Sequence, residues 1–215
     1  MKIAVLANTI LKEELLMQGM QDGIELLWPN NINELSVDSR IEVCIDLLFE
    51  NEEQRPDTYR VQQLKKLQAD LVIVNSVITT GAELPENFIR INSWPTFLKR
   101  SLIEASCQNE KLKTKAEEIF LCLNKKIEWI PDIPGFVTAR VIAMIVNEAY
   151  FALNEKVSTK EEIDLAMKLG TNYPYGPFEW SEKIGLKNIY SLLSDLYKIN
   201  SRYEPAPLLN KEAFQ

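Results

Sequence analysis

The sequence predicts an α/β domain built on a parallel sheet, followed by an all-α domain. Over residues 2–75, short apolar and β-branched runs alternate with helical patterns, which is typical of strands joined by helices. From residue 138 onward the pattern is helical throughout. The segment at residues 131–135, PDIPG, separates the two patterns, because two prolines and a glycine discourage continuation of either element. We therefore expect domains at residues 1–133 and 134–215.

The first domain contains the elements of a layered α/β fold. A first helix carries Leu11, Leu15 and Leu16 at helical spacing. Further helices are predicted at residues 55–68 and 111–123, and strands at residues 2–7, 24–27, 41–49, 70–75, 88–92 and 126–130. The alternation of these elements predicts a parallel sheet with helices on its faces.

The second domain consists of amphipathic helices. Apolar residues recur at offsets of 3, 4, 7 and 11 from Ile142, which predicts a long helix over residues 138–156. Ser158 and Thr159 precede Glu161 and Glu162 by three residues, a capping-box pattern for a helix that we expect to end at Gly170. Two further helices are predicted at residues 179–184 and 186–199.

Composition excludes several classes of function. The chain has a net charge of -7 and no basic cluster, which argues against binding to a nucleic-acid backbone. Its apolar runs are far shorter than the roughly 20 residues of a membrane helix, and its first residues show no signal-peptide pattern. Three cysteines without CxxC spacing are typical of reduced thiols, so we expect a cytoplasmic protein.

The absence of histidine is the most informative feature of the composition. The chain contains no histidine at any position. Histidine is the side chain most used as a general base near neutral pH, and it is the commonest nitrogen ligand of metal ions. Serine–histidine triads, cysteine–histidine pairs and histidine zinc sites are therefore excluded, and we expect no metal site.

An ordered set of motifs in the second domain resembles a known family. The motifs are PGF at residues 134–136 with Arg140 behind it, NEA at 147–149, EEIDLAMKLG at 161–170, YPYGPFE at 173–179, Gly185-Leu186, and PAPLLNK at 205–211. Together they resemble the C-terminal domain of the 3-hydroxyacyl-CoA dehydrogenase family. The first domain is similar to the family's cofactor domain more faintly, at residues 44–55 and 71–76. The resemblance implies a Rossmann-like first domain, NAD as cofactor, a role in fatty-acid metabolism and a helical domain that serves dimerisation.

The residues at the family's cofactor positions differ from those that the resemblance implies. A Gly-x-Gly-x-x-Gly turn should follow the first strand, so that the backbone approaches the pyrophosphate at a helix N-terminus. Residues 7–12 read ANTILK instead, so Ala7, Thr9 and Lys12 replace the glycines. Trp28 and Pro29 stand where an acid should bind the ribose. We therefore expect no cofactor, with a charge from Lys12 to a phosphate as the alternative.

The catalytic positions implied by the resemblance are also changed. Asn92 stands at the position of the catalytic histidine, and Glu104, twelve residues later, stands at the position of the glutamate that orients it. Val77 stands at the substrate-binding serine, with Ser76 or Thr79 as alternatives, and Ala139 stands at the asparagine before Arg140. An amide has no useful proton affinity near pH 7. Glu104 is thus the retained catalytic residue, or else an ordinary salt-bridged helix residue.

Three hypotheses follow from these residues. The first is a pseudoenzyme that binds an acyl-CoA ligand or a partner in acyl-CoA metabolism. The second is an active NAD-dependent 3-hydroxyacyl-CoA dehydrogenase with a non-standard site. The third is an interaction module that forms a homodimer through the helical domain. The missing glycines and histidine favour the first and third hypotheses, because loss of a positioned base alone costs about 10²–10⁴ in rate.

Overall fold

The computed structural model describes residues 1–35, 41–50 and 58–215. The contacts between residues divide the chain into two compact units, Met1–Phe136 and Val137–Gln215. The sequence analysis places this division between residues 133 and 134. In the part of the chain that the structure describes, no helix is both long and apolar enough to cross a membrane.

The N-terminal unit is built on one seven-stranded sheet. Its strands are β1 (Lys2–Leu6), β2 (Glu25–Leu27), β3 (Val43–Asp46), β4 (Leu71–Asn75), β5 (Phe88–Ile91), β6 (Leu102–Cys107) and β7 (Lys126–Trp129), in the spatial order β2-β1-β3-β4-β5-β6-β7. Neighbouring strands are parallel except β5 and β6, which are antiparallel. The prediction of a Rossmann-like α/β domain is confirmed.

Both faces of the central strands β1, β3, β4 and β5 are buried, as expected for a mostly parallel sheet. The helices of the unit are α1 (Thr9–Leu16), α2 (Thr58–Lys66) and α3 (Lys113–Cys122). Ile3 and Val5 of β1 belong to one apolar cluster, whereas Ala4 and Leu6 belong to a second cluster. This alternation explains why the strands are nearly continuous apolar runs in the sequence.

Several boundaries differ from the predictions. The sequence analysis misses β6, and the apolar run at residues 41–49 is a strand only at β3. The predicted start of α2 at Arg55 lies outside the described residues. Of the described residues between β2 and β3, only the 3-10 turn Ile32–Glu34 is helical.

The strand order creates one topological switch point. β1 lies between β2 and β3, so the connection from β1 to β2 and the connection from β3 to β4 run in opposite directions along the sheet. In open α/β sheets, ligands bind in the crevice beyond the carboxyl ends of the strands at such a point. The residues that follow β1 and β2 therefore border the candidate ligand crevice of this unit.

The C-terminal unit consists of five helices: α4 (Thr138–Asn154), α5 (Lys160–Thr171), α6 (Pro177–Ile184), α7 (Leu186–Ile199) and α8 (Pro207–Ala213). The predicted capping box of α5 is present between Thr159 and Glu162. The predicted end at Gly170 is wrong, because the helix continues to Thr171 and Asn172 takes the left-handed conformation with φ 56°. The sequence analysis also misses α8. The prediction of an all-α second domain is confirmed.

Candidate functional site

A side chain of the connection from β1 to α1 caps the N-terminus of α1. Asn8 precedes the helix, and its Oδ1 accepts a hydrogen bond from the Leu11 amide at 2.9 Å. The Lys12 amide donates to the Asn8 carbonyl at 3.0 Å. In a dinucleotide site, first-turn amides of this helix face the pyrophosphate and glycines leave room for it. Here the first-turn amide of Leu11 already has a carboxamide partner.

The crevice beside this connection is open and lined by side chains. It has a volume of about 790 Å³, and its walls include Thr9, Lys12, Trp28 and Pro29. The Lys12 ammonium lies 4.4 Å from the centre of the Trp28 ring, a cation–π distance. Thus Lys12 and Trp28 contact each other where the fold class places a pyrophosphate and a ribose-binding acid. With Ala7, Thr9 and Lys12 in place of glycines, these residues do not fit a dinucleotide held in the usual way.

Asn92 and Glu104 lie together, as the family resemblance implies. Antiparallel pairing places Ile91 of β5 opposite Ala105 of β6, and the Asn92 amide then donates to the Glu104 carbonyl at 3.1 Å. Asn92 Nδ2 also donates to Glu104 Oε2 at 3.2 Å. Glu104 therefore orients the side chain at position 92. It lies in a strand, so the alternative of a salt-bridged helix residue is wrong in its secondary structure.

The loop after β4 contains Val77, which the resemblance places at the family's substrate-binding serine. Val77 is fully buried, and its amide donates to Glu50 Oε2 at 2.6 Å. The amides of Ile78 and Thr79 also donate to the Glu50 carboxylate, at 2.9 and 2.7 Å. The Ser76 hydroxyl lies 2.9 Å from the Thr79 carbonyl and 3.3 Å from Glu50 Oε1. The alternatives Ser76 and Thr79 are thus buried side chains of a loop held by Glu50.

A buried arginine is the main feature that the sequence analysis misses. Arg90 of β5 is 1% exposed, pairs with Asp132, and donates to the Ser76 carbonyl at 3.0 Å. Asp132 in turn accepts from the Gly81 amide at 2.9 Å. Burial lowers the pKa of the Arg90 guanidinium, and the Asp132 carboxylate opposes that shift. An arginine inside the apolar run FIRI was the available sequence signal.

A second buried ion pair closes the end of β3. Asp46 is fully buried, and its carboxylate accepts from Arg60 Nε at 2.7 Å and from Arg60 Nη2 at 2.6 Å. Burial raises the pKa of Asp46, and the bond and charge of Arg60 act in the opposite direction. This bidentate pair fastens α2 to the carboxyl edge of the sheet.

The motifs of the helical unit hold its helices together. Asn147 of the NEA motif accepts from the Ala206 amide at 2.8 Å and donates to the Glu204 carbonyl at 2.8 Å. Ala139 is fully buried in the first turn of α4 and supplies no polar side chain where the family has asparagine. Asn147 therefore joins α4 to the segment that precedes α8.

Comparison with known proteins agrees with this architecture. Residues 135–213 match the family model described as 3-hydroxyacyl-CoA dehydrogenase, C-terminal domain. A 3-hydroxyadipyl-CoA dehydrogenase of Escherichia coli K12 is 43% identical over 91 residues, which cover 41% of this chain and 19% of that protein. A 3-hydroxybutyryl-CoA dehydrogenase of Bradyrhizobium diazoefficiens is 33% identical over 139 residues, which cover 62% of this chain and 47% of that protein. The chain thus spans less than half the length of these curated relatives.

The solved structures extend the likeness over both units. The (S)-3-hydroxybutyryl-CoA dehydrogenase of Ralstonia eutropha superposes with a TM-score of 0.73 at 20% identity, covering 98% of this chain and 92% of that chain. At this identity the likeness concerns the fold alone. By sequence, the helical unit at residues 135–213 belongs to the 3-hydroxyacyl-CoA dehydrogenase family, and the fold of that family extends over both units.

Proposed function

We propose that this chain binds an acyl-CoA thioester and has lost the dehydrogenase reaction of its family. The observation that carries the proposal is the Asn92–Glu104 pair, in which the orienting carboxylate is kept and the base is replaced by an amide. An amide donates and accepts hydrogen bonds but does not remove a proton near pH 7. Such a pair is suited to holding a polar group of a ligand without reacting with it.

The capped helix α1 supports the same conclusion from the cofactor side. The dehydrogenase reaction needs a nicotinamide to accept or deliver hydride, and no protein side chain replaces it. With Asn8 on the first-turn amide and Lys12 on the Trp28 ring, we expect neither NAD nor NADH to bind with the affinity usual for the family. The free thiols Cys44, Cys107 and Cys122 are in keeping with a reducing compartment, and we propose a cytoplasmic location.

The experiment measures ligand binding and turnover separately. Thermal unfolding of the full chain is followed with acetoacetyl-CoA alone and with NADH alone, and NADH oxidation is then followed with both present. We expect a rise in melting temperature with acetoacetyl-CoA, no rise with NADH and no oxidation. Steady oxidation of NADH that Glu104→Gln abolishes would overturn the proposal and support an active dehydrogenase.

A second candidate function is self-association through the helical unit. Leu165 and Leu169, one turn apart on α5, are 54% and 79% exposed. We propose that they lie in a homodimer contact, because exposed apolar residues one turn apart are uncommon on a helix that faces only water. Light scattering should give a dimer for the natural chain and a monomer for Leu165→Lys/Leu169→Lys. Leu121→Lys, at an exposed residue of α3, is the control. A stable dimer without any acetoacetyl-CoA shift would favour an interaction module.

A further inference from the structure

We propose that Glu14 and Lys125 are positioning residues of the candidate site, which hold the turn at residues 94–100 and through it the side chain of Asn92. The turn connects β5 to β6 and begins two residues after Asn92. The inference rests on the proposed function for the identity of the ligand. The positioning itself is measured without any ligand.

Glu14 binds the backbone of this turn from α1. Its side chain is 8% exposed, and both carboxylate oxygens lie within hydrogen-bond distance of the Thr96 amide, at 2.7 and 2.9 Å. Thr96 has a φ of 81°. A β-branched residue avoids this left-handed region, and such a conformation persists only where the surroundings hold it. Glu14 supplies that hold.

Lys125 binds the same turn from the start of β7. Its side chain is 1% exposed, and its Nζ donates to the Leu98 carbonyl and, at 2.9 Å, to the Arg100 carbonyl. The buried Glu14 carboxylate thus accepts from an amide of the turn, and the buried Lys125 ammonium donates to two of its carbonyls. Hydrogen bonds of this kind are stronger when the acceptor is a carboxylate or the donor is an ammonium.

The ionised forms of both residues are disfavoured by their burial. Burial raises the pKa of the Glu14 carboxyl, and the Thr96 amide, Lys99 and Lys125 act against it. Burial also lowers the pKa of Lys125 to about 8, with Glu14 acting against it. Buried ion pairs are often no more stabilising than apolar residues of similar size. Groups with perturbed pKa values cluster at functional sites. The position of Glu14 and Lys125 at the turn that follows Asn92 therefore favours a role in positioning that turn over a role in stability.

The Trp94 amide links this turn to the side chain of Asn92. The Trp94 amide, at the start of the turn, donates to Asn92 Oδ1 at 3.3 Å, and Asn92 Nδ2 donates to Glu104 at 3.2 Å. The Trp94 amide thereby determines which end of the Asn92 amide faces Glu104. If the backbone at Thr96 leaves its φ of 81°, the Trp94 amide, two residues earlier, moves away from Asn92 Oδ1.

The test compares buried and exposed neighbours. Glu14→Gln and Lys125→Met are the test variants, and Glu13→Gln and Lys126→Met, at exposed adjacent residues, are the controls. Residue-resolved hydrogen exchange of the turn is measured by NMR, and acetoacetyl-CoA affinity by calorimetry. We expect the amides of Trp94 and Thr96 to exchange about 10-fold faster or more in both test variants, since each loses a charge-assisted hydrogen bond. We expect affinity to fall about 10-fold, and both quantities to stay unchanged in the controls.

A rescue variant separates positioning from general stability. Glycine adopts a φ near 81° without strain, so Thr96→Gly removes the need for Glu14. Adding Thr96→Gly to Glu14→Gln should restore most of the lost protection at Trp94. Unchanged exchange at Trp94 and Thr96 in the test variants, or the absence of this rescue, overturns the inference. If the natural chain fails to bind acetoacetyl-CoA, the proposed function falls, and the exchange results still decide the role of Glu14 and Lys125.

Discussion

Gly176, at the N-terminus of α6, offers the sharpest test of how the helical unit is held together. The Asp164 carboxylate of α5 lies against this glycine and accepts from the Phe178 amide at 2.8 Å and from the Glu179 amide at 3.1 Å. A Cβ at Gly176 would lie 2.3 Å from the Asp164 carboxylate. Gly176→Ala therefore forces Asp164 off the helix terminus.

The expected cost follows from the bonds lost. The φ of Gly176 is -75°, which alanine adopts freely, so backbone strain adds nothing. Two hydrogen bonds to a charged group are each worth about 1.5–3 kcal/mol, and water at this helix end recovers part of that. We expect a loss of about 3 kcal/mol. For a unit of this size, about 4–8 °C per kcal/mol corresponds to a melting temperature roughly 12–24 °C lower.

The assay is thermal unfolding of the full chain by far-UV circular dichroism, with hydrogen exchange of α6 as the local reporter. Gly170→Ala is the matched control, because no atom lies within 4 Å of its added Cβ and alanine favours the helix. In an Asp164→Ala background, Gly176→Ala should cost little. Equal melting temperatures for Gly176→Ala and the natural chain, or an equal cost in both backgrounds, would refute the steric argument.

Three further outcomes are expected of the N-terminal unit. Arg90→Met should lower the free energy of unfolding in urea by about 1–3 kcal/mol, because the Ser76 carbonyl loses a buried donor and Asp132 loses its ion-pair partner, whereas Arg100→Met at an exposed site should change it by less than about 1 kcal/mol. The pKa of Lys125 is lowered from 10.5 to about 8, so between these pH values the unfolded chain keeps a proton on Lys125 that the folded chain has released. The free energy of unfolding should therefore rise with pH between about 8 and 10.5. Urea titrations at several pH values should show this rise for the natural chain and a flatter dependence for Lys125→Met. Burial raises the pKa of Cys44, so iodoacetamide should label it only after unfolding, as read by mass spectrometry; labelling of the folded chain at Cys44 would contradict its placement.

The elements with a local signal could be predicted from the sequence. α7 begins at Leu186 and ends at Ile199, as its apolar periodicity predicts. β6 was missed because Glu104 interrupts its apolar run and because it depends on pairing with the distant strands β5 and β7. The helix end at Gly170 was misplaced because Asn172, which also tolerates the left-handed region, takes the terminal position.

The candidate site could be predicted only in part. Asn92 and Glu104 were found because the resemblance places them at the family's histidine and glutamate positions, twelve residues apart. Arg90, Glu14 and Lys125 were missed because a single sequence does not show which charged side chains are buried. Their burial depends on partners that the fold brings from distant positions, such as Asp132 for Arg90.

The loop at residues 76–79 binds a carboxylate of the chain itself, that of Glu50. The successive amides of Val77, Ile78 and Thr79 converge on the Glu50 carboxylate, in the manner of the backbone nests that bind phosphate and other anions. A tethered group acts at an effective concentration far above that of a free metabolite, so a dissolved phosphate competes poorly for these amides. The amides of this loop are consequently already engaged by a carboxylate of the chain itself, and a dissolved anion meets a loop whose donors are satisfied.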